Sequence, residues 1–148
     1  TEEVGYIFPV TVDYSDTAYG IKLVGDSSSS SSSTGAIDIS LDDGHISTSN
    51  ADKNNVPNSK KKILTNETCI YIENFNGNIT INLTNNSSLI SESGTAIKIV
   101  NCAGSTVELK IESGCVINSD IIIGSTTLQL TKDPDNRLTA PVDETFTL

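Results

Sequence analysis

One cluster in this chain has the residue types and spacing for acid–base chemistry. It is Asp42-Asp43-Gly44-His45, and it contains the only histidine of the sequence. A pair of carboxylates held at the right separation can supply a general acid and a general base. The same residues are also good turn chemistry, because Asp and Gly adopt the backbone conformations that tight turns need. The cluster is therefore either a catalytic element or a polar turn.

Acidic side chains on a turn are also candidate ligands for Ca²⁺, which prefers hard oxygen ligands. Asp42 and Asp43 are the candidates, with Asp26 near them along the chain. The sequence lacks the Asp-x-Asp-x-Asp-Gly loop of a calcium site. We expect a solvated acidic turn and no cofactor.

The three cysteines lack the spacing of metal ligands. Residue alternation places Cys69 on the outer face of a predicted strand, while Cys102 lies in a turn and Cys115 begins a strand. Two arrangements stay open. A Cys102–Cys115 disulfide would leave Cys69 for an intermolecular bond, or the thiols are free and buried, since cysteine packs well as a small apolar side chain.

Candidate N-glycosylation sites follow the pattern Asn-x-Ser/Thr. They are Asn66, Asn78, Asn82, Asn85 and Asn86.

Composition and charge restrict the classes of function. The net charge is -10, and the basic residues include a single arginine, Arg137, and one short run, Lys60-Lys61-Lys62. Nucleic-acid binding needs clustered basic side chains, so we expect no nucleic-acid partner. No apolar run approaches the length of a membrane span. Ile, Val, Leu, Ser, Thr and Asn dominate without a helical apolar period, which predicts an all-β fold.

An internal repeat gives the strongest structural signal. Residues 68–91 and 95–119 each contain three short alternating apolar stretches separated by Asn, Gly and Ser. The apolar residues match at offsets of 27 to 28 residues, so that Ile70 corresponds to Ile97 and Ile81 to Leu109. An earlier unit with two polar insertions, a shortened later unit and an N-terminal partial unit follow the same plan. Their apolar residues are, in chain order, Val10, Val12 and Tyr14; Ile21, Leu23, Ile37, Ile39, Leu41 and Ile46; and Ile121, Ile123, Leu128 and Leu130.

Repeats of this kind predict stacked coils, because a coil of short strands buries its apolar row only against neighbouring coils. We predict one domain over residues 1–148, with a short right-handed parallel β-helix of three strands per coil over residues 17–131. Residues 1–16 and 132–148 are then terminal strands or tails. The pattern resembles the β-helices of pectate lyases and of adhesin passengers and other bacterial surface proteins. An antiparallel β-sandwich is the alternative, since it also has short strands at this spacing.

The acidic cluster is similar to the catalytic elements of polygalacturonases, which are β-helical and use an Asp pair and a Gly-His-Gly element. In that family the elements lie on different coils, whereas here they are contiguous, Ile46 replaces the second Gly, and no Arg-x-Lys element follows. We therefore expect that the chain is not an enzyme.

The two ends of a β-helix expose unpaired strand edges that invite another chain. Both termini carry alternating apolar segments that could join subunits. Their candidate joining residues are Tyr6, Ile7, Phe8, Val10, Val12, Phe146 and Leu148. The alternative is that each tail covers its own end. We expect an extracellular or cell-surface structural or adhesive protein that self-associates end to end into filaments. The second hypothesis is a polysaccharide-binding or polysaccharide-cleaving module, against which the absence of Trp and the scarcity of Tyr and Phe count.

Overall fold

The computed structural model describes residues 10–11, 19–25, 35–48, 68–91 and 94–148. These residues form β-strands and turns, and they include no helix. Within these ranges, therefore, no helix has the length and apolar character needed to cross a membrane. The strands are β1 (Val10–Thr11), β2 (Tyr19–Gly25), β3 (Ala36–Asp42), β4 (His45–Ser47), β5 (Thr68–Glu73), β6 (Asn78–Thr84), β7 (Ser88–Ile90), β8 (Ile97–Val100), β9 (Thr106–Ile111), β10 (Val116–Ile117), β11 (Ile121–Ile123), β12 (Thr126–Thr127) and β13 (Val142–Thr147). The prediction of an all-β fold is confirmed.

The strands form three sheets, and the inner strands of each sheet pair in parallel. The six-stranded sheet has the order β1-β2-β5-β8-β11-β12, the four-stranded sheet β13-β9-β6-β3, and the three-stranded sheet β10-β7-β4. The inner pairs of all three sheets are parallel, whereas β1, β12 and β13 pair antiparallel at the edges. Parallel pairing on this scale excludes the antiparallel sandwich. Along the chain, β2, β3 and β4 enter the six-, four- and three-stranded sheets in turn, and β5 to β7 and β8 to β10 repeat that order.

The predicted pairing register is confirmed. Ile70 pairs with Ile97, and Ile81 pairs with Leu109. The unit with insertions keeps the same register, because Ile39 pairs with Ile81 across its own parallel ladder. A one-residue slip would send every apolar side chain to solvent, so the alternation itself fixes this register.

The core lies between the sheets and consists of rows of aliphatic side chains. One row runs through Ile39, Ile81 and Leu109, and the last two are fully buried. The core cluster also takes in Phe75, the one large aromatic side chain that is buried in the described ranges. Outward positions on the same strands, such as Glu108 and Lys110, are exposed and form an ion pair with Nζ and Oε1 3.8 Å apart.

Asparagine and glycine make the turns that join the sheets. Asn74 and Asn101 follow β5 and β8 at equivalent positions with φ of 59° and 53°. Asparagine tolerates this left-handed conformation better than most residues. Gly77 is needed for a different reason, because a Cβ there would lie 2.5 Å from the carbonyl oxygen of Gly35. The repeated Asn and Gly positions thus hold successive turns in the same shape.

Buried hydroxyl groups join one turn to the next. Ser105 Oγ donates to the carbonyl oxygen of Phe75 (2.9 Å) and accepts from the amide of Gly77 (3.0 Å). Ser87 Oγ makes the equivalent pair of bonds, donating to Leu41 O and accepting from Gly44 N, both at 3.0 Å. A buried backbone group left unpaired is costly, so these serines stabilise turns that the strand ladders do not reach.

The C-terminal segment pairs with β9 and β10 of the four- and three-stranded sheets. Strand β13 pairs with β9 along its whole length, from Val142 opposite Ile111 to Thr147 opposite Thr106. Arg137 bridges to Val116, and Leu138 exchanges backbone hydrogen bonds with Gly114 and Cys115. The edges of β9 and β10 are therefore both paired with antiparallel segments from the C-terminal part of the chain.

The shortened fourth unit differs from its prediction. Ile121 and Ile123 pair with Ile97 and Ile99 as expected. The chain then reverses at Gly124, whose φ is 62°, and Thr126–Thr127 runs back antiparallel to β11. As a result, the prediction that Leu128 and Leu130 continue the parallel pattern as a second strand is wrong. At the other end, Val10–Thr11 also pairs antiparallel, with Val24 and Gly25 of β2, and not as a parallel partial coil.

Candidate functional site

The acidic cluster forms the turn from β3 to β4. Asp42 ends β3, Asp43 adopts a φ of 54°, and His45 begins β4. A side chain at Gly44 would be crowded, because a Cβ there would lie 3.0 Å from the Cβ of Leu41. The interpretation of this segment as a turn is confirmed.

Three side chains of this turn and its neighbour form a hydrogen-bonded chain. His45 Nδ1 lies 2.7 Å from Ser88 Oγ, and His45 Nε2 lies 3.3 Å from Asp43 Oδ1. Ser88 reaches His45 because β4 and β7 pair with these two residues opposite each other. The order serine, histidine, carboxylate is the one that activates a nucleophilic serine. The side chains of His45 and Asp43 are 57% and 75% exposed, however, so water screens the pair.

A second pair of contacts connects this turn to the two that follow β6 and β9. The side-chain amide of Asn85 donates to Asp42, and the backbone amide of Asn85 donates to Glu112 Oε1 at 2.8 Å. Asp42, Asn85 and Glu112 come from three successive turns, so these bonds connect neighbouring layers of the stack. Asp42, Asn85 and Glu112 thus form a polar seam that runs across the three turns. The expectation that the chain is not an enzyme stays a prediction.

No group of three or more His, Cys, Asp or Glu side chains in the described ranges is placed to hold a metal ion. The carboxylates of Asp42 and Asp43 are instead engaged with Asn85 and His45. Asp26 lies outside the described residues.

A shallow groove lies on the outer face of the four-stranded sheet beside this seam. Its volume is about 300 Å³. It is lined by residues 82–84, 110–112 and 141–143, and most of the lining surface is apolar. Lys110 pairs with Asp143 across the antiparallel ladder. A mainly apolar floor with a few polar side chains, here Asn82, Lys110 and Asp143, is the usual lining of a ligand groove.

A second recess of about 530 Å³ lies at the covered end of the stack. It is formed by residues 126–129 and 141–144. Thr126, Thr127 and Gln129 are exposed along one wall and Asp143 and Glu144 along the other. This recess separates β12 from the start of β13.

All three cysteines are free and buried. Cys102 and Cys115 flank β9, which at roughly 3.3 Å per residue is far longer than the Cα separation that a disulfide spans. The Cys102–Cys115 bridge is therefore not formed. Cys115 Sγ instead donates to Leu83 O at 3.7 Å, the position equivalent to the bond from Ser87 to Leu41.

The placement of Cys69 on an outer face is wrong. Its side chain has no exposed surface, and its Sγ donates to the carbonyl oxygen of Ile46 at 3.8 Å. Thr68, Cys69 and Ile70 at the start of β5 are all buried, so the alternation of burial seen further along the strand does not apply there. Burial raises the pKa of Cys69 to about 11, and it also raises the pKa of Cys102 and Cys115.

The thiols are expected to resist alkylation in the folded chain. A pKa near 11 instead of 9.0 lowers the reactive thiolate fraction of Cys69 about 100-fold at neutral pH, and burial slows access further. Reaction with a thiol reagent at pH 8, followed by mass spectrometry, measures this. Full labelling in guanidinium is the control. Rapid labelling of native Cys69 would contradict its burial. Covalent dimers that disappear in Cys69→Ser would support an intermolecular disulfide.

The candidate glycosylation sites fall in two places. Asn78 and Asn82 lie on the outer face of β6, and Asn85 and Asn86 lie in the following turn with φ of 53° and 60°. Asn66 lies outside the described residues. Glycosylation stays a prediction at all of these positions.

The candidate joining residues also divide. Tyr6, Ile7, Phe8 and Val12 lie outside the described residues, and Val10 pairs with Gly25 of its own chain. Phe146 and Leu148 pack on the core, and Leu148 exchanges backbone hydrogen bonds with Gly104 and Ser105. The C-terminal segment thus covers its own end, which is the second of the two predicted arrangements.

Comparison with protein-family models, curated proteins and solved structures finds no match for this chain. The site therefore rests on its own geometry. Sequence analysis did not identify Ser88, Glu112, Lys110 or Asp143 as site residues. Ser88 and Glu112 could have been found by aligning the turn of the first unit with those of the next two, whereas Asp143 depends on the antiparallel return of β13.

Proposed function

We propose that the chain is a right-handed parallel β-helix of three-stranded coils that serves as a structural or adhesive element outside a cell. The observation that carries this proposal is the threefold repetition of the sheet order, with Ile, Leu and Val in register from unit to unit. Right-handed crossover is the strong preference for parallel strands joined in this way. The two long insertions lie between strands, so they leave the register intact.

A stack of this kind supports a structural role because its faces are rigid and its strand ends are the natural joints. The C-terminal end is covered by β13 and by residues 137 and 138. Phe146 and Leu148 would have to leave their own core to join a neighbour. The geometry therefore favours attachment through the other end, and self-association into filaments stays a prediction.

The second candidate is a polysaccharide-binding surface, which the groove beside β13 favours. Lys110, Asn82 and Asp143 present a donor, an amide and an acceptor on an extended face. These three side chains stand on adjacent strands about 4.8 Å apart, so they can contact successive groups of a chain-like ligand.

Beads carrying the chain in two orientations test these roles. Biotin attached near Pro134, which is exposed at the covered end, points the β3 end outward, whereas biotin at Asp38 points it inward. Retention under flow is measured on surfaces coated with gelatin, with the chain itself and with a panel of polysaccharides. We expect retention on a protein-coated surface only when the β3 end points outward.

Three other outcomes would support a different role or reject the adhesive one. Retention on the chain-coated surface supports self-association. Retention on a polysaccharide in both orientations, lost in Lys110→Ala with Asp143→Asn, replaces the adhesive role with the second candidate. No retention on any surface rejects the adhesive role.

A further inference from the structure

The aliphatic rows of the core end in partly exposed side chains next to β3. Ile21, Leu23, Leu41 and Ile46 are only partly buried and pack against the core. The next members of their rows, Ile70, Ile72, Leu83 and Leu89, have no exposed surface. Apolar side chains that continue a buried row and meet solvent are a candidate interaction surface.

Strand β3 is the edge of the four-stranded sheet at this end. Within the described ranges it pairs with β6 alone. The carbonyl oxygen of Gly35 accepts from Asn78 N, and Asp43 N donates to Thr84 O, so the backbone groups of the odd-numbered residues face β6. Alternation then directs the backbone N–H and C=O groups of Asp38, Ser40 and Asp42 to the open side. This row is a template for an added strand.

The charge of the edge selects between partners. Asp38 and Asp42 are exposed on the outer face of β3, and Asp43 follows directly. A second copy that adds its own β3 brings the same acidic residues to the joint, and one that adds its β13 edge brings Asp143 and Glu144. Like charges on neighbouring strands are destabilising, and opposite charges are stabilising. A basic strand is therefore the favoured occupant.

We propose that the β3 edge binds an extended segment of a partner protein with aliphatic side chains on one face and Lys or Arg on the other. The segment adds as a strand beside β3, covers the exposed ends of the aliphatic rows, and places its cations against Asp38 and Asp42. This inference rests on the proposed structural role, because it names the partner that the β3 edge holds.

A synthetic peptide of the length of β3, Thr-Ile-Lys-Ile-Lys-Leu-Lys, is the probe. The matched control peptide has Glu at each Lys. Calorimetry measures affinity, and amide chemical shifts locate the site. We expect the Lys peptide to bind at least about tenfold more tightly than the Glu peptide, to weaken as salt rises, and to shift the amides of residues 36–42.

Two pairs of variants test the site. Ser40→Pro removes an outward N–H from an edge strand, where proline is tolerated, and is expected to weaken binding at least about tenfold, while Ser40→Ala retains it. The double variant Asp38→Lys with Asp42→Lys is expected to reverse the preference between the peptides. Circular dichroism and a denaturant titration confirm that each variant folds.

Some results would overturn the inference. They are equal binding by Ser40→Pro and Ser40→Ala, shifts confined to β13, or concentration-dependent dimerisation of the chain alone with shifts at β3, which makes a second copy the occupant. Retention of the oriented beads without peptide binding leaves the structural role standing and rejects the β3 site. Peptide binding without bead retention supports the β3 site and rejects the adhesive role.

Discussion

Removal of residues 132–148 is expected to destabilise the chain by several kcal/mol and to make it aggregate. The deletion takes away the strand that pairs with the whole of β9 and the bridge from Arg137 to Val116. It also uncovers core surface now covered by Val142, Phe146 and Leu148, which are partly buried and so each contribute part of the roughly 1.5–3 kcal/mol of a fully buried side chain. Denaturant unfolding measures the loss of stability, and size-exclusion chromatography with light scattering measures the aggregation.

A milder pair of variants compares the core-facing side of β13 with its exposed side. Phe146→Asp places a charge on the core-facing side of β13, whereas Thr145→Ala changes the neighbouring exposed position. We expect the first variant to behave like the deletion and the second like the unaltered chain. If the deletion unfolds at the same denaturant concentration as the full chain, β13 does not cover the core in solution.

Replacing Ile81 with Ala is expected to cost about 2–5 kcal/mol of folding free energy. Ile81 is fully buried and lies between Ile39 and Leu109 in the middle of an aliphatic row. The cavity cannot close easily, because the strands on both sides are held in register by backbone hydrogen bonds. The shift in the denaturant midpoint at constant slope gives the value.

Asn82→Ala is the matched control, since Asn82 is the next residue on β6 and points to the outer face. Surface substitutions of this kind change stability by about 0.5 kcal/mol or less. Equal effects of the two variants would mean that the alternation of β6 is not the one described, and the register of the entire sheet would then be in doubt.

The parts of the fold that follow from short-range periodicity were predictable. The pairs Ile70–Ile97 and Ile81–Leu109 follow from the period of two within strands and the near-constant offset between units. A polar insertion between strands does not alter that period, so the unit containing Ile39 could be aligned despite its extra residues.

The predictions that were wrong depend on the direction of a strand and on which residues contact its end. Val142 to Thr147 alternates equally well for a parallel or an antiparallel strand, so its sequence does not show that it returns on β9. The reversal at Gly124 depends on one positive φ and displaced the predicted strand at Leu128. Cys69 is buried and contacts Ile46 of β4, which the alternation of β5 alone does not describe.

The candidate site was predictable only in part. Asp42, Asp43 and His45 attract attention as residue types, but the contact from His45 to Ser88 depends on the register between β4 and β7. That register becomes visible only after the insertion of the first unit is subtracted. The outward-facing edge of β3 is a property of the assembled sheet and has no local sequence signal.

The two edges of the four-stranded sheet lie on different units, with β13 next to β9 and β3 on the far side of β6. A unit duplicated in the gene between β7 and β8 would enter the middle of the stack and change neither edge. Each such duplication would lengthen the molecule by about 4.8 Å, the spacing of adjacent strands. The number of units can therefore change without altering either edge or what the edges bind.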